Sequence, residues 1–428
     1  MKSHYARSFA LVDCNNFYVS CERIFQPSLE EKPVIVLSNN DGCVISRSSE
    51  VKKLQIPMGA PVHQIKNLIE KHKIKVFSSN FALYGDISRR VMQTLAYFAS
   101  HMEVYSIDEA FLDTTGIENV LSYGKTIRKT LCQWTGIPVS IGFGSTKTLA
   151  KIANYIAKKG MWNTQEGVFD LTHHIHMDSC LESIAVEDIW GIGQASANLL
   201  KSYNISTAQH LKETPLEWIR YKMGIVGVRL VQELRGISTL ALEQAPPTRK
   251  SLIISRSFKK PLTTFEELKT KIAQFSSRAA EKLRHEKLAA SAICISIRTS
   301  PFGKRPKYTK STCIPLLEAS NDTRKIIKAA TTGLAQLFLA NFQYKKAGIT
   351  LMKLVPETQI QKSLFSSESD SLQVKEEILN KTMDKINRKL GPKTLQYGAA
   401  GTKNTSIPER KFTSPPYTTN WNHLPNVS

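Results

Sequence analysis

VYSIDEAFLD, residues 104–113, places two acids side by side in a stretch that otherwise has the composition of a buried strand or hairpin. The two acids are Asp108 and Glu109. Burying one carboxylate without a partner costs several kcal/mol, and two adjacent carboxylates repel each other. The pair therefore indicates that a cation binds between the two side chains. A surface turn is the alternative that this decapeptide alone leaves open.

A third acid stands in similar surroundings near the N-terminus. In SFALVDCNNFYVSCE, residues 8–22, the apolar run Phe9–Val12 ends on Asp13 and breaks at Asn15 and Asn16. Short apolar runs of this kind are typical of core strands. We therefore expect Asp13 at the end of a strand, where ligands are commonly held.

The charge of the chain narrows the class of its partners. The 428 residues are too many for one ordinary core, and the length predicts about two to four domains. Lysine and arginine number 58 against 36 acids, which gives a formal net charge of +22. A protein this basic usually meets a polyanion, and nucleic acid is the leading candidate.

Cysteine usage and apolar patterns exclude several other classes. The cysteines are scattered without a C-x-x-C pair, so we expect free thiols in a reducing cytoplasm, with neither zinc sites nor a disulfide framework. The seven are Cys14, Cys21, Cys43, Cys132, Cys180, Cys294 and Cys313. The N-terminal apolar run is too short for a signal peptide, and no stretch approaches the roughly 18 apolar residues of a membrane span. The expected location is the cytosol.

Most of the excess positive charge lies between Arg249 and Leu354. This segment holds 22 lysines and arginines against six acids, a net +16 of the +22. Its periodicity predicts strands at 251–258, 293–299, 308–316 and 347–354 and helices at 265–283 and 322–342. The order β-α-β-β-α-β is a split-βαβ module, with two helices on one sheet face and the other face open. We expect the open basic face to line a groove for a duplex backbone; lysines that merely solvate a surface are the alternative.

A pair of glycines lies just upstream of this module. In EDIWGIGQASANLLKSYNI, residues 187–205, Gly191 and Gly193 open a helix. The glycines allow a tight turn, so that the N–H groups at the helix start point outward at a phosphate. This is the signature of a helix-hairpin-helix that contacts the DNA backbone independently of sequence. The segment PPTRK, residues 246–250, is interpreted as a linker between the two regions.

Taken together, these motifs resemble those of the Y-family, or translesion, DNA polymerases. SIDEAF (106–111), DCNNFYVSCE (13–22), STKTLAKIA (145–153) and WGIG (190–193) occur in the order and spacing of that family. The chain looks most like the UmuC-type catalytic subunit of bacterial DNA polymerase V, through NNDGCVISRS (39–48), SSNFALYGD (78–86) and RKFTSPPYTT (410–419). The resemblance covers nearly the whole chain.

The resemblance implies an α+β multidomain fold, the right-hand architecture of a Y-family polymerase. A palm and fingers would occupy residues 1–170, with the fingers inserted at about 25–80. A helix-hairpin-helix thumb would follow over 171–245 and a split-βαβ, DNA-binding little finger over 246–354. Residues 355–428 would form a tail that binds the clamp and other partners.

The same resemblance assigns roles to the acids. Nucleotidyl transfer by the two-metal route needs carboxylates that hold two Mg²⁺ ions close together. By analogy Asp13 and Asp108 would bridge both ions, Glu109 would hold the ion at the primer 3′-OH, and the carbonyl of Cys14 would complete the second site. Adjacent strand residues point to opposite faces, so Asp108 and Glu109 can serve one site only at a hairpin tip or bulge. Tyr18 occupies the steric-gate position, where a ring under the deoxyribose excludes a 2′-OH; an ordinary core aromatic is the alternative.

Contacts to the incoming dNTP are assigned to Ser46, Lys52 and Lys158. The family places a tyrosine and an arginine on the fingers helix, whereas this chain has Ser49 and Lys52 there. A lysine meets a phosphate as a point charge and lacks the fork of arginine. Lys158 matches the palm lysine that contacts the β- and γ-phosphates; without the resemblance it would be taken as solvent-exposed. Ser46 falls where the fingers cover the new base pair, and small residues there would leave room above a damaged template base.

Beyond Leu354 the chain becomes serine-rich and polar. Gln361, Leu364 and Phe365 fit the Q-x-x-L-F pattern of peptides that dock in the bacterial sliding clamp. Apolar positions from Leu372 to Leu390 predict an amphipathic helix that docks on the body or binds a partner. The resemblance implies primer–template DNA, a processed UmuD-type accessory dimer and a RecA filament as further partners.

The sequence therefore predicts an error-prone, template-directed DNA polymerase that performs translesion synthesis in an SOS-type response to DNA damage. It would be a nucleotidyltransferase of the cytoplasm, associated with the nucleoid. Two rival functions stay open. A nucleotidyl cyclase would also hold two metals on a palm-like sheet, but it needs no duplex and hence no basic module. A non-catalytic DNA-binding scaffold would not need all three acids and Tyr18.

Overall fold

The computed structural model describes residues 7–163, 167–172, 175–243, 245, 248–302, 305–361, 370–401 and 410–423. The chain divides into two compact units. The first comprises Met1–Pro246 together with Pro408–Ser428, and the second comprises Pro247–Ile407. The division falls inside the PPTRK segment at 246–250.

The described strands of the first unit form two sheets. They are β1 (Phe9–Cys14), β2 (Val34–Leu37), β3 (Val44–Arg47), β4 (Lys75–Ser78), β5 (Met102–Val104), β6 (Glu109–Asp113), β7 (Val139–Gly144) and β8 (Val168–Asp170). The larger sheet has the order β5-β6-β1-β7-β8 and is antiparallel except between β7 and β8. The smaller has the order β3-β2-β4, in which β2 and β4 are parallel. All six residues of β1 are buried, which confirms the predicted core strand.

Helices cover both faces of the larger sheet. The helices described in the first unit are α1 (Phe17–Phe25), α2 (Ser49–Lys53), α3 (Val62–Lys71), α4 (Phe81–Leu95), α5 (Val120–Thr135), α6 (Lys147–Lys159), α7 (Met177–Glu182), α8 (Gln194–Lys201), α9 (Ala208–Glu213) and α10 (Leu216–Leu234). Phe9 and Leu11 of β1 pack with Ala150 of α6 on one face. Ala10 and Val12 belong to the core on the other face, with residues of α1, α4 and α5.

Helices α7 to α10 form a separate cluster on α6. Leu181, Leu200, Leu211 and Leu234, one from each helix, share a buried core with Leu149. This module therefore attaches to the sheet through α6, the helix that also faces the end of β1.

The second unit has one antiparallel sheet of order β11-β10-β12-β9. Its elements are β9 (Ser251–Leu262), α11 (Phe265–His285), β10 (Leu288–Thr299), β11 (Thr309–Ser320), α12 (Thr323–Leu337), β12 (Tyr344–Pro356) and α13 (Asp370–Leu390). The predicted β-α-β-β-α-β order is confirmed. Helix α12 ends five residues before the predicted Phe342 because Phe338 leaves the helix, and its ring packs against Phe265 and Tyr344 with centroids 5.5 and 5.8 Å apart.

Helix α13 confirms the amphipathic helix predicted after Leu372, and it docks on its own unit. Asp384 accepts two hydrogen bonds from the Arg284 guanidinium, at 2.7 and 2.8 Å. Asn380 donates to Asp322 at 2.7 Å. Of the two alternatives, the structure therefore shows docking on the body.

The expectation of free thiols throughout is wrong for one pair. Cys294 on β10 and Cys313 on β11 stand directly opposite each other and form a disulfide. The pair could not be predicted from the sequence, because 19 residues separate the two cysteines and only the antiparallel register of β10 and β11 brings them together. The other five cysteines carry free thiols.

Within the described ranges, none of the helices combines the length and the apolar character that crossing a bilayer requires.

Candidate active site

Asp108 and Glu109 lie at the tip of a hairpin. The turn 105–108 joins β5 to β6. The N–H groups of Tyr105 and Ser106 both donate to the carbonyl of Glu109, each at 3.1 Å. The predicted hairpin tip is confirmed, and it releases the two acids from the strict alternation of a strand.

The Ser106 hydroxyl fixes this turn. Its Oγ accepts from the N–H of Asp108 at 3.2 Å and from that of Glu109 at 3.0 Å, and it donates to Asp108 Oδ1 at 2.6 Å. Serine hydroxyls that bind nearby backbone groups stabilise turns in this way. Ser106 therefore orients the Asp108 carboxylate. Sequence reasoning missed this role, although the residue belongs to the SIDEAF motif.

Asp13 lies on the strand next to the hairpin. In the antiparallel register of β1 and β6 it stands opposite Glu109, so both side chains emerge on the same face of the sheet. The N–H of Cys14 donates to the carbonyl of Asp108 at 2.8 Å, which holds the turn against the end of β1. The structure thus brings three acids from two distant segments to one end of the sheet.

Two lysines of α6 face these acids. Lys158 Nζ lies 2.5 Å from Asp13 Oδ2, and Lys151 Nζ lies 3.0 Å from both carboxylate oxygens of Glu109. Seven residues are about two helical turns, so the two lysines share one face of α6. Lys158, predicted to contact a triphosphate, stands here beside a carboxylate. Lys151 was missed, and its position in STKTLAKIA was the available signal.

Burial makes a positive partner necessary for Asp13, which is only 8% exposed. Burial raises the pKa of Asp13 from 3.8 to about 7, although Lys158 opposes the shift; the nearby charges of Glu109 and Asp108 raise the pKa further. A carboxylate in such surroundings ionises fully at neutral pH only when more positive charge comes close. The electrostatics of the site therefore favour binding of a cation.

A cleft of about 180 Å³ opens beside the acids. It is lined by Asp13, Glu109, Lys151, Ile152, Asn154, Tyr155, Lys158, Ile184, Asp188 and Trp190. Lys151 Nζ lies 4.5 Å from the ring centroid of Tyr105 and 5.4 Å from that of Trp190, within cation–π range. Trp190 also donates to the Tyr105 hydroxyl at 3.0 Å. This aromatic wall was missed, because WGIG was interpreted only through its glycines.

Tyr18, near the start of α1, is half-buried between two other rings. It stacks on Tyr84 with centroids 4.5 Å apart and planes 18° apart, and it meets Phe81 edge-on at 6.1 Å. Burial raises the pKa of Tyr18, and the charge of Asp108 raises it further. The ring therefore lies within electrostatic reach of Asp108. Its role as a steric gate stays a prediction.

The other two residues assigned to the incoming dNTP, Ser46 and Lys52, lie on the small sheet and on α2. Ser46 is buried on β3, and its hydroxyl donates to the carbonyl of Asn16 at 3.4 Å. Lys52 lies on α2, one turn after Ser49. The pKa of Lys52 is lowered, first by loss of water around it and then by the charge of Lys158. Lys52 and Lys158 therefore contribute to one region of positive potential.

The glycine turn is present as predicted. Gly191 has a φ of +92°, a conformation that suits glycine, and Gly193 is the N-cap of α8. Of the proposed clamp motif, Gln361 is exposed, whereas Leu364 and Phe365 lie outside the described residues.

The oxygen donors of the site fit a divalent cation. Mg²⁺ prefers carboxylate and carbonyl oxygens, and these are what Asp13, Asp108, Glu109 and the Cys14 carbonyl offer. As the side chains stand, the carboxylates of Asp13 and Glu109 are turned toward lysines. In the described ranges no three metal-ligating side chains surround a single position.

Three family models match the chain. The impB/mucB/samB family matches residues 12–155 and its C-terminal domain matches residues 249–364. A domain of unknown function (DUF4113) matches residues 377–427. The first match contains all three acids, and the second contains the basic module.

Curated relatives extend over nearly the same length. Protein UmuC of Salmonella typhimurium is 39% identical over 98% of this chain and 100% of its own length. Protein MucB of Escherichia coli is 36% identical over 97% of this chain and 99% of its own. DNA polymerase IV of Dehalococcoides mccartyi is 27% identical over 90% of this chain and 96% of its own.

A solved structure shares the fold. The Y-family DNA polymerase chimera Dbh-Dpo4(243-245)-Dbh matches with a TM-score of 0.66 at 21% identity. The match covers 82% of this chain and 99% of that one. The predicted fold class, the α+β multidomain fold of the Y-family polymerases, is therefore confirmed.

Proposed function

This chain belongs to the impB/mucB/samB family, and we propose that it is an error-prone, template-directed DNA polymerase that performs translesion synthesis in an SOS-type response. The observation that carries the proposal is the end of the five-stranded sheet, where Asp13 stands opposite Glu109 with Asp108 beside them. The kinship with UmuC and DNA polymerase IV supports the same activity. The proposal includes the four-part division of the chain into palm and fingers, thumb, little finger and tail, with boundaries at residues 170, 245 and 354.

Asp13, Asp108 and Glu109, with the carbonyl of Cys14, would hold two Mg²⁺ ions. When bound, these ions would supply a lowered pKa for the primer 3′-OH and charge compensation for the triphosphate. The protein prepares the carboxylates for this task. Ser106 orients Asp108 through a 2.6 Å hydrogen bond, and the sheet register holds Asp13 and Glu109 on one face.

The lysines of α6 balance the acids until substrate arrives. With a divalent cation held by the acids, Lys158 would no longer be required as the partner of Asp13 and would turn toward the phosphates of a dNTP. Lys52 and Ser46 would complete the nucleotide contacts from the fingers. The family has an arginine at this position, whose planar guanidinium can donate two hydrogen bonds to one phosphate. Lys52 offers only a point charge, so its contact with the triphosphate would be less directional.

Tyr18 would select the sugar. Its ring is held against Tyr84 and Phe81 and is influenced by the charge of Asp108, so a 2′-OH on the incoming nucleotide would collide with it. The small residues of the fingers would leave space above a damaged template base. The same space removes a check on base-pair shape, which predicts low fidelity.

The basic second unit and the turn at Gly191 and Gly193 would contact DNA through phosphates, independently of sequence. Gln361, Leu364 and Phe365 would bind the sliding clamp, and a processed UmuD-type dimer and a RecA filament would act as further partners. A polymerase with these partners would work in the cytoplasm, at the nucleoid.

Primer extension by the purified full-length chain tests the proposal. The assay uses Mg²⁺, dNTPs, and undamaged and abasic templates, with and without clamp, accessory dimer and RecA filament. Asp108→Asn combined with Glu109→Gln removes two charges at constant size, and we expect extension to fall by at least about a hundredfold. Glu118→Gln is the matched control, because Glu118 is an exposed carboxylate just before α5.

Extension that crosses the abasic site and needs both acids would establish a translesion polymerase. Duplex binding without incorporation under every condition would leave a DNA-binding scaffold. Template-independent formation of a cyclic nucleotide would identify a cyclase instead.

A further inference from the structure

The C-terminal segment Arg410–Tyr417 packs on the first unit, at the edge of the small sheet. The N–H of Ser78 on β4 donates to the carbonyl of Phe412 at 2.9 Å, and the N–H of Phe412 donates to Ser78 Oγ at 3.0 Å. Ser78 and Thr413 form a parallel bridge. The segment thus pairs with the edge of the small sheet through a single bridge. It lies within the region that matches a domain of unknown function.

Ser414, the next residue, is buried and joins two helices of the first unit. Its Oγ donates to Glu22 Oε1 on α1 at 3.0 Å. Asn80 Nδ2 donates to the Ser414 carbonyl at 3.3 Å and to its Oγ at 3.1 Å. Asn80 is the N-cap of α4. One side chain from the end of the sequence therefore ties α1 to the first turn of α4.

These two helices are the ones that hold the proposed sugar gate. Tyr18 belongs to α1, and its stacking partner Tyr84 belongs to α4. Tyr84 donates from its hydroxyl to Glu22 Oε1 at 2.6 Å, the same oxygen that Ser414 binds. The relative position of Tyr18 and Tyr84 thus depends on a carboxylate that Ser414 helps to satisfy.

We propose that Ser414 is a positioning residue for sugar selection: its hydroxyl fixes α1 against α4 and so keeps the Tyr18 ring where it excludes a 2′-OH. The inference rests on the proposed polymerase function and on Tyr18 as its gate. Without the hydroxyl, Glu22 loses a donor and Asn80 loses an acceptor. Small displacements of a positioned group change selectivity strongly, because steric exclusion depends steeply on distance.

The same segment offers a matched control at Tyr417. Its ring stacks on Phe25 with centroids 4.7 Å apart, and its hydroxyl accepts a hydrogen bond from Gln26 at 3.0 Å. Tyr417→Phe removes one hydroxyl from the segment and keeps the ring stack. It does not touch Glu22, Asn80 or the gate.

The experiment compares kcat/KM for dCTP and for CTP opposite a template guanine, with the full-length chain and its accessory proteins. We expect Ser414→Ala to lower discrimination against CTP about tenfold, because a buried carboxylate loses a hydrogen bond. Ser414→Thr keeps the hydroxyl, and its β-branched side chain suits the extended backbone expected before Pro415. This variant should therefore retain the discrimination of the wild type. Tyr417→Phe should leave the ratio unchanged. Thermal unfolding of each variant shows whether it is folded.

Equal discrimination in the wild type and in folded Ser414→Ala, with dCTP still incorporated, would overturn the inference and leave the polymerase standing. An equal loss in Ser414→Ala and Tyr417→Phe would also overturn it, since the segment would then act only as a general support. If Ser414→Ala does not fold, the same kcat/KM ratio is measured for Ser414→Cys, in which a thiol, a weak hydrogen-bond donor, replaces the hydroxyl. A wild type that incorporates no dCTP would count against the proposed function itself.

Discussion

Glu22 is a fully buried carboxylate on α1 that accepts hydrogen bonds from Tyr84 and Ser414. Its second oxygen has no hydrogen-bond partner among the described residues. Burial raises the pKa of Glu22 above 4.5, and the two hydrogen bonds only partly oppose that shift. The folded protein therefore holds this proton more tightly than the unfolded chain does.

This shift predicts how stability depends on pH. From about pH 4.5 upward to the pKa of the folded state, the folded protein binds more protons than the unfolded chain, so its free energy of unfolding falls as the pH rises. Glu22→Gln removes the titration, and its stability should fall less over that range. Thermal unfolding from pH 4 to pH 8 measures the difference. Glu118→Gln should follow the wild type, and a Glu22→Gln curve parallel to the wild type would contradict the prediction.

Helix α6 and strand β7 approach each other so closely that only glycine fits between them. A Cβ on Gly142 would lie 2.0 Å from the backbone nitrogen of Asn154, and one on Gly144 would lie 2.5 Å from that of Ala150. Both obstacles are backbone atoms, which no rotamer change can move. The close approach sets the position of α6, and with it the positions of Lys151 and Lys158 beside the acids.

Gly142→Ala should therefore damage both stability and the site. We expect the variant to lose about 1–3 kcal/mol of stability, as overpacked cores do, and to extend primers poorly because α6 is displaced. Gly85→Ala on α4 is the control, since a Cβ there meets no atom within 4 Å, and alanine favours the helix by about 0.5–1 kcal/mol. Denaturant unfolding and primer extension measure the two effects. Equal stability of both variants would show that α6 can move without cost.

The whole chain carries +22, and most of the excess lies in the second unit. On the open face of its sheet, Arg298 of β10 stands opposite Lys346 of β12. The other face is covered by α11 and α12, where Lys282 and Lys328 are exposed. Charge on the open face would bind a duplex through its phosphates, whereas charge on the helices would remain in water.

Binding to a primer–template should consequently depend steeply on salt. Between 50 and 200 mM salt we expect affinity to fall by at least about a hundredfold, as counterions are no longer released favourably. Arg298→Ala with Lys346→Ala should lower the slope of log K against log salt by about 2, because each lost phosphate contact contributes roughly 0.9. Lys282→Ala with Lys328→Ala should leave the slope unchanged.

Equal slopes for the two double variants would argue against the open face as the DNA surface. Fluorescence anisotropy with duplexes of several sequences measures these constants.

Local patterns were sufficient for most of the architecture. The alternation of apolar residues in 293–299 and the three-and-four spacing from Phe265 to Leu283 are properties of neighbouring residues, and the structure has a strand and a helix there. The start of α11 is equally local, since Thr264 and Glu267 form a capping box. The two adjacent acids in SIDEAF predicted a hairpin tip or bulge, because neighbouring strand residues point to opposite faces and could not otherwise serve one site.

The sequence by itself thus determined the elements, the regional charge and the acids, because each depends on residues close together in the chain. Only the tertiary structure decided which cations face those acids, which cysteines pair, and what completes the surroundings of Glu22. Ser414 lies 392 residues from Glu22 along the chain, and no periodicity links the two. Their contact exists because the chain returns to the first unit at its end, and the path of a chain follows from packing of the whole molecule.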